Sequence, residues 1–251
     1  MIEQAIEIKM ADGTCDAFLY YENDGRRRSA AIHLPDIVGV RESHRGMARR
    51  LAEQGYVVLL PNIFYRTARI PVFDFQPKFP DERTTKRMGE LAGPLTPEAV
   101  ERDAASYVNY LVVQGSVSET RMGVVGYCFS GAMSALRFPA ARPDRIGAGA
   151  SFHGGSLYTE SPASPHLVLP RIPASDGPRL YFGHATNDQF MPQEAIDKLN
   201  TALRAWGGKY DSEVYDRALH SWTVPDAPVY NQPQAERAFA KLTELFAATL
   251  K

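Results

Sequence analysis

Cysteine is scarce in this sequence, since Cys15 and Cys128 are the only two among 251 residues. Two cysteines cannot build a disulfide framework, so we expect free thiols in a reducing compartment such as the cytoplasm. No apolar run is long enough to span a membrane, and residues 1–12 lack the charged, apolar and small-residue zones of a signal peptide. These absences argue against a secreted or membrane-embedded protein.

A strong charge of either sign is also missing, because 28 Lys and Arg residues offset 29 Asp and Glu residues to a formal net charge of -1. Such a chain has no electrostatic reason to bind nucleic acid or an anionic membrane. Glycine patterns that cradle phosphates or dinucleotides are absent, and no cluster of His, Cys and Asp has zinc-ligand spacing. We therefore expect neither a metal nor an organic cofactor.

The chain does contain a tight turn from a strand into a helix, with the sequence Gly126-Tyr127-Cys128-Phe129-Ser130-Gly131. Small residues two positions before and two positions after Cys128 permit the strained backbone of a nucleophile elbow, which lifts the central side chain above the sheet. A thiol held there is placed for acyl transfer. Taken alone, the same residues fit a buried core cysteine equally well.

An acid and a histidine follow the turn at positions typical of hydrolases. An apolar strand over residues 180–184 runs into a polar turn that ends at Asp188, and a later strand pattern near residues 214–215 leads to His220. The chain order nucleophile, acid, histidine is that of the α/β-hydrolase triad. Each residue alone has a plainer explanation, Asp188 as a turn former and His220 as a loop histidine. Their order and flanking strands together favour catalysis.

The chain resembles the dienelactone hydrolase family over nearly its whole length. The matching segments are residues 126–131, 183–188, 215–222, 35–40, 51–58 and 61–62. The elbow cysteine is the most specific of these features, because most α/β-hydrolases carry a serine there. The resemblance implies a cofactor-free hydrolase that opens a lactone or small carboxylic ester through a Cys128 thioester, with His220 as base and Asp188 as the orienting acid.

Two backbone amides are expected to form the oxyanion hole, that of Phe129 after the nucleophile and that of Ile37 after the first crossover strand. In the family that the chain resembles, a glutamate just before the second amide contacts the nucleophilic cysteine. This chain has Asp36 at that position. The shorter side chain either reaches Cys128, bonds to nearby backbone, or serves as an ordinary turn residue, and the sequence leaves these alternatives open.

Dienelactone-cleaving members of the family hold the substrate carboxylate with arginines, one of them four residues after the catalytic histidine. Val224 occupies that position here, while Arg83 and Arg87 lie in the region that supplies another such arginine. Specificity for an anionic lactone therefore has less support than ester hydrolysis itself. His153, at the end of a strand, and Trp222, within the histidine motif, are further candidates for contact with the site. A structural histidine is the simpler interpretation of His153.

Alternating strand and helix patterns predict one α/β-hydrolase domain over residues 1–251, with a doubly wound, mostly parallel sheet and helices on both faces. We expect strands near residues 16–21, 29–34, 56–60, 122–125, 146–152, 180–184 and 209–215, and helices near residues 43–54, 192–206 and 232–250 and from residue 96 onward. Irregular stretches near 63–95 and 155–178 are predicted to be lid-like segments, with surface insertions as the alternative.

Two alternative functions compete with lactone or ester hydrolysis. One is a broad carboxylesterase or thioesterase without dienelactone activity, and the other is a ligand-binding relative that has lost turnover. An intact nucleophile, acid and base argue against the second rival. The expected partner is a small ester or lactone, with no nucleic acid and no membrane, and the oligomeric state stays open.

Overall fold

A computed structural model describes residues 1–250. The strands are β1 (Ile2–Met10), β2 (Gly13–Tyr21), β3 (Ala30–Leu34), β4 (Val57–Pro61), β5 (Met122–Tyr127), β6 (Ile146–Phe152), β7 (Arg179–His184) and β8 (Tyr210–Val214). They form one sheet in the order β1-β2-β4-β3-β5-β6-β7-β8. The pairs from β4 to β8 are parallel, while β2 pairs antiparallel with both β1 and β4. The predicted fold class is confirmed.

Helices cover both faces of the sheet. They are α1 (Glu42–Ala52), α2 (Glu82–Ala92), α3 (Pro97–Val112), α4 (Phe138–Ala141), α5 (Gln193–Trp206) and α6 (Gln232–Thr249). In β7, Tyr181 packs into the buried cluster that includes α1 and α6, whereas Leu180 and Phe182 pack towards α5. Within residues 1–250, none of the helices combines the length and apolar character needed to cross a bilayer.

Local sequence signals account for most of these elements. Strand β4 is apolar throughout and fully buried, as expected for a parallel strand covered on both faces. Thr96 caps α3, because its hydroxyl accepts a hydrogen bond from the Ala99 N–H at 3.2 Å, and Pro97 takes the first helical position. The predicted strands and helices are confirmed to within a few residues at their ends.

Strand β1 and helix α2 are missing from the sequence-based prediction. Strand β1 is an edge strand in which most side chains face solvent, so its apolar pattern is weak. Helix α2 follows Asp81, whose carboxylate accepts a hydrogen bond from the Thr84 N–H at 2.8 Å. Only Thr84 and Leu91 are buried in this helix, so it shows no continuous apolar stripe. The prediction that 63–95 is irregular is therefore wrong over α2.

Segment 155–178 lies against the flank of the sheet and includes a 3-10 helix, Pro165–Arg171. Its buried apolar side chains join the cluster that contains α5, and they are Leu157, Val168, Leu169 and Ile172. The segment begins beside the elbow, where the Gly155 N–H donates to the Cys128 carbonyl oxygen at 3.3 Å. The single domain and the two lid-like segments stay predictions.

Candidate active site

Cys128 lies at the carboxyl end of β5 in a turn with the shape of a nucleophile elbow. Its backbone φ is 52°, a left-handed value that residues other than glycine adopt only under constraint. Gly126 leaves the space that the turn needs, because a Cβ there would lie 2.4 Å from the Ser130 carbonyl oxygen. A Cβ on Gly131 would lie 2.4 Å from Ser151 Oγ. The Cys128 residue remains partly exposed.

The Ser130 hydroxyl ties this turn to the neighbouring strand. It accepts a hydrogen bond from the Tyr127 N–H at 2.9 Å and donates one to the Leu34 carbonyl oxygen at 3.1 Å. Phe129 is the second residue of the 3-10 turn Cys128–Ser130, and N–H groups in a first helical turn have no partner within the helix. The Phe129 amide therefore has no partner within the turn, and its role as an oxyanion donor stays a prediction.

Asp188 and His220 meet beyond the carboxyl ends of β7 and β8. Nδ1 of His220 lies 2.6 Å from Oδ2 of Asp188, whose side chain is fully buried. The other carboxylate oxygen accepts a hydrogen bond from the Phe190 N–H at 2.9 Å. These bonds hold the carboxylate in place and direct the Nδ1 edge of the imidazole towards it. Nε2 of His220 is buried and has no hydrogen-bond partner within residues 1–250.

The neighbours of His220 determine its charge. Burial of the ring acts to lower its pKa, but the hydrogen bond to Asp188 and the adjacent Cys128 sulfur raise the pKa to about 10. Nε2 of His220 makes no hydrogen bond of normal geometry to the sulfur. A protonated imidazole beside a cysteine is the arrangement that stabilises a thiolate, the nucleophilic form of the side chain.

Ile37 lies in the loop after β3, and Asp36 shapes that loop. The Asp36 carboxylate accepts a hydrogen bond from the Val38 N–H at 2.9 Å, and its carbonyl oxygen accepts one from the Gly39 N–H at 3.0 Å. Gly39 has a φ of 81°, and a Cβ there would lie 2.5 Å from Val72, which packs the loop against segment 63–95. Within residues 1–250 the Ile37 amide makes no hydrogen bond, as an oxyanion donor requires.

The Asp36 side chain turns into a partly buried ionic network and makes no hydrogen bond to the elbow cysteine. Arg41 donates to Asp36 Oδ1 at 2.7 Å and, from Nε, to Asp226 Oδ2 at 2.7 Å. His44 Nε2 lies 3.3 Å from Asp36 Oδ2, and His44 Nδ1 lies 2.9 Å from His33 Nε2. Burial acts to raise the pKa of Asp36, but His44 and Arg41 hold it well below its usual range.

Clusters of histidine and carboxylate can also hold metals, and the described residues contain no such site. Across residues 1–250, no group of three or more His, Cys, Asp or Glu side chains is placed to hold a metal ion. The bonds that Asp36 accepts from the Val38 and Gly39 N–H groups fit two of its open alternatives, a bond to nearby backbone and an ordinary turn residue, and its role in the site stays a prediction.

His153 and Trp222 lie beneath the candidate site, and both are fully buried. His153 Nδ1 is 3.1 Å from the Cys128 amide nitrogen, and its Nε2 is 2.8 Å from Thr223 Oγ1. The Trp222 ring stands edge-on to the His153 ring, with centroids 5.0 Å apart. The His220 ring packs against the same histidine at 5.3 Å. His153 therefore contacts the elbow, while Trp222 supports His153 from below.

Arg83 and Arg87 lie on α2, and neither hydrogen-bonds to the elbow, the acid or the histidine. The Arg87 guanidinium donates to the Val72 carbonyl oxygen at 2.9 and 3.0 Å. The Arg83 guanidinium is exposed and stacks over the Phe75 ring at 3.7 Å. Val224 is fully buried. The substrate contacts of both arginines stay predictions.

A cavity of about 540 Å³ lies behind the candidate site, between α1, α6 and the sheet. Among the residues that line it are His33, Tyr127, Phe152 and Thr223. None of Cys128, Asp188 and His220 lines this cavity.

Three residues near the site, Arg41, Thr223 and Phe190, could not be predicted from the sequence. Arg41 stands at the start of a helix and reads as a surface residue, although it joins two loops. Thr223 is a hydroxyl residue in an irregular stretch. Phe190 is half exposed, and its ring lies 4.8 Å from the His220 ring. Only contacts between distant parts of the chain reveal these residues.

Comparison with known proteins places the chain among hydrolases. Residues 15–250 match the sequence profile of the Dienelactone hydrolase family. A carboxymethylenebutenolidase from Rhodococcus opacus is 30% identical over 218 residues, which cover 84% of this chain and 78% of the relative.

Two solved structures share the fold of this chain. A candidate dienelactone hydrolase from Klebsiella pneumoniae superimposes with a TM-score of 0.84 at 20% identity, covering 98% of each chain. A dienelactone hydrolase-like promiscuous phosphotriesterase from metagenomic libraries superimposes with a TM-score of 0.77 at 20% identity, covering 100% of each chain. At such low identity the likeness extends to the fold alone.

Proposed function

Because this chain belongs to the dienelactone hydrolase family, a family of hydrolases that act on small molecules, we propose that it cleaves a lactone or small carboxylic ester through a thioester on Cys128. One observation carries the proposal. A partly exposed thiol at a strained strand-to-helix turn stands beside an imidazole that is hydrogen-bonded, at 2.6 Å, to a buried carboxylate. This arrangement supplies a nucleophile, a proton carrier and a group that orients the proton carrier.

In the first half of the reaction, the Cys128 sulfur attacks the ester carbonyl carbon and the carbonyl electrons move onto oxygen. The amides of Phe129 and Ile37 stabilise that oxyanion. The tetrahedral intermediate collapses by breaking the bond to the alcohol oxygen, which takes the proton from His220 Nε2. The products are a thioester on Cys128 and the free alcohol, or the open chain when the substrate is a lactone.

In the second half, water attacks the thioester carbonyl and gives a proton to His220. The second tetrahedral intermediate expels the Cys128 thiolate and releases the carboxylic acid. Asp188 keeps the proton on Nδ1, so that Nε2 alone exchanges protons with substrate and water, and it stabilises the imidazolium in both halves.

The surroundings of the site support a neutral substrate. Phe190 packs against the His220 ring, and Phe129 packs against Phe64 with ring centroids 5.9 Å apart. Val224 occupies the place of a carboxylate-binding arginine, and the Arg87 guanidinium is engaged by a backbone carbonyl. These contacts favour the second candidate function, a carboxylesterase or thioesterase without dienelactone activity. A screen of neutral substrates tests that function directly.

The experiment is a panel of p-nitrophenyl esters, thioesters and neutral lactones, assayed with the wild-type protein and the Cys128→Ser and Cys128→Ala variants. We expect turnover of at least one short neutral ester by the wild type and none by Cys128→Ala. A thiol that reacts with iodoacetamide while no ester is cleaved would instead support a ligand-binding relative. We also propose that the protein works in a reducing compartment such as the cytoplasm, where the thiol stays free.

A further inference from the structure

His153 lies between the elbow and the loop that carries His220, and it bonds to both. Its Nδ1 accepts a hydrogen bond from the Cys128 amide at 3.1 Å, and its Nε2 pairs with Thr223 Oγ1 at 2.8 Å. The ring is completely buried. No other side chain links the backbone of the proposed nucleophile to the loop of the proposed base in this way within residues 1–250.

The two partners determine which nitrogen of His153 carries the proton. A backbone N–H can only donate, so Nδ1 must present its lone pair to Cys128. The ring hydrogen then lies on Nε2 and is donated to the Thr223 hydroxyl. Burial lowers the pKa of His153 well below its ordinary value, and the nearby charge of His220 lowers it further, so the ring stays neutral.

Rigid elements anchor His153 itself. It follows the last residue of β6, and its own N–H donates to the Gly183 carbonyl oxygen of β7 at 2.7 Å. Its φ is 42°, a conformation that histidine tolerates better than most residues. The ring therefore projects from the sheet with little freedom, which makes it a fixed reference for the two segments that it bonds.

His153 bonds the backbone amide of Cys128 and the side-chain hydroxyl of Thr223, and each partner lies on a segment with constrained backbone. Cys128 has a φ of 52°, and Ser221, between His220 and Thr223, has a φ of 79°. Strained conformations of this kind persist only where surrounding contacts hold them. A small shift of either segment would change the separation of sulfur and imidazole, and misplacement by about 1 Å can reduce a rate about a hundredfold.

We propose that His153 is a positioning residue, which fixes the placement of the Cys128 sulfur relative to the His220 imidazole by bonding the Cys128 amide and the Thr223 hydroxyl at once. The proposal rests on the proposed function for its kinetic readout. In this role His153 does not contact the substrate, and His153 and Thr223 act as one unit.

Four variants test separately the hydrogen bonds of His153 to the Cys128 amide and to the Thr223 hydroxyl. Thr223→Val removes the hydroxyl at nearly constant volume, and Thr223→Ser keeps it. His153→Asn retains an acceptor for the Cys128 amide and tolerates positive φ, whereas His153→Leu loses both contacts. Thr243→Val is the control, because it removes the hydroxyl of a threonine on α6, which donates to the Ala240 carbonyl oxygen at 2.9 Å and belongs to no part of the candidate site.

For the best ester of the panel, we expect kcat to fall about tenfold in Thr223→Val and about a hundredfold in His153→Leu, with KM within about twofold of wild type. His153→Asn should fall between these two variants. Thr223→Ser and Thr243→Val should stay within about twofold of wild type in kcat. Loss of thermal stability with unchanged kcat in both Thr223→Val and His153→Leu would overturn the proposal.

Two readouts need no substrate and so separate this proposal from the proposed function. The rate of Cys128 alkylation by iodoacetamide should fall in parallel with the expected kcat losses, even in a protein that cleaves no ester of the panel. Nitrogen-15 NMR of the wild-type imidazoles should show His153 neutral with its proton on Nε2 at pH 7. A protonated ring, or a proton on Nδ1, would refute the assignment.

Discussion

Cys128 and Cys15 carry the same thiol in opposite surroundings. Cys128 is partly exposed at the end of β5, whereas Cys15 is completely buried in β2. The Cys15 sulfur lies 3.4 Å from the Asn62 carbonyl oxygen and 3.7 Å from the Tyr107 hydroxyl, and burial raises the pKa of its thiol to about 12. Thiol reactivity follows thiolate character and exposure, so the two cysteines should be chemically distinct.

We predict that Cys128→Ala abolishes ester cleavage while the protein stays folded, because the thiolate must form and then leave a thioester. Cys15→Ala should leave turnover unchanged and lower the free energy of unfolding by about 1 to 2 kcal/mol through the lost core volume. Assays with the best ester and urea denaturation of both variants check this. Iodoacetamide should label only Cys128, and near wild-type turnover by Cys128→Ala would sink the assignment.

Asp188 and His220 should behave as one unit with the thiol. Replacing His220 by Ala should lower kcat by several orders of magnitude, and Asp188→Asn somewhat less, since the carboxylate orients and stabilises the imidazolium. The double variant should be little slower than His220→Ala alone. Steady-state kinetics of the three variants measure this, and multiplicative losses would mean that the two residues act independently.

The raised pKa of His220 also predicts a pH dependence of stability. A group whose pKa is near 6.5 in the unfolded chain and about 10 in the folded protein stabilises the fold fully below pH 6.5. That contribution is lost as the pH rises from about 6.5 through 10. The free energy of unfolding should therefore fall over this window more steeply in the wild type than in His220→Gln. Urea denaturation of both proteins across the window tests the difference, and parallel curves would contradict it.

Among the loops, the two that follow β3 and β8 are joined by one arginine. Arg41 bonds Asp36 beside the predicted oxyanion residue Ile37 and also Asp226 beyond the histidine motif, and its side chain is 23% exposed. Since a buried carboxylate loses its partner when such an arginine is removed, the loss of stability exceeds that for an exposed pair. The bridge therefore supports both the predicted oxyanion amide and the histidine loop.

We predict that Arg41→Met lowers the free energy of unfolding by about 3 kcal/mol and also lowers kcat, because the uncompensated Asp36 charge displaces the Ile37 loop. Arg26→Met is the matched control, since Arg26 is 82% exposed and pairs with Asp24 at 3.8 Å. It should be indistinguishable from wild type in both measurements. Equal effects of the two substitutions would show that the bridge has no special importance.

For the protein as a whole, the balance of charge bears on substrate choice. The formal net charge is -1, and of the two candidate arginines on α2, Arg87 bonds a backbone carbonyl while Arg83 is exposed. Val224 is fully buried, so an arginine introduced there would bury a charge and destabilise the protein. The preference between neutral and anionic substrates must therefore be tested with arginines already present.

We predict that a neutral lactone is cleaved with a kcat/KM at least equal to that of a carboxylated lactone of the same size, and that added salt scarcely changes either rate. The ratio of the two specificity constants is the measurement. Arg83→Ala should leave this ratio within about twofold of wild type. A strong wild-type preference for the anion that disappears in Arg83→Ala would restore an anionic dienelactone as substrate.

Much of the site could be predicted from local sequence. The elbow needs small residues at fixed offsets from Cys128, and the acid and histidine each follow a strand, so short windows suffice to find them. Strand and helix periodicity similarly predicts the parallel sheet, because burial on both faces leaves continuous apolar runs. Strand β1 and helix α2 were not predicted from the sequence, because each buries few side chains and so has little periodic apolar pattern.

Folding alone decided how the distant parts of the site are held. His153 meets the Cys128 amide across 25 residues of sequence, and Arg41 reaches Asp226 across 185 residues. A hydrogen bond of this kind depends on where two elements come to rest in the sheet, and neither residue type nor spacing encodes that position. The sequence alone therefore predicted the groups suited to ester chemistry. Tertiary packing decided which side chains orient them, because positions within a few ångströms depend on how the sheet and its loops assemble.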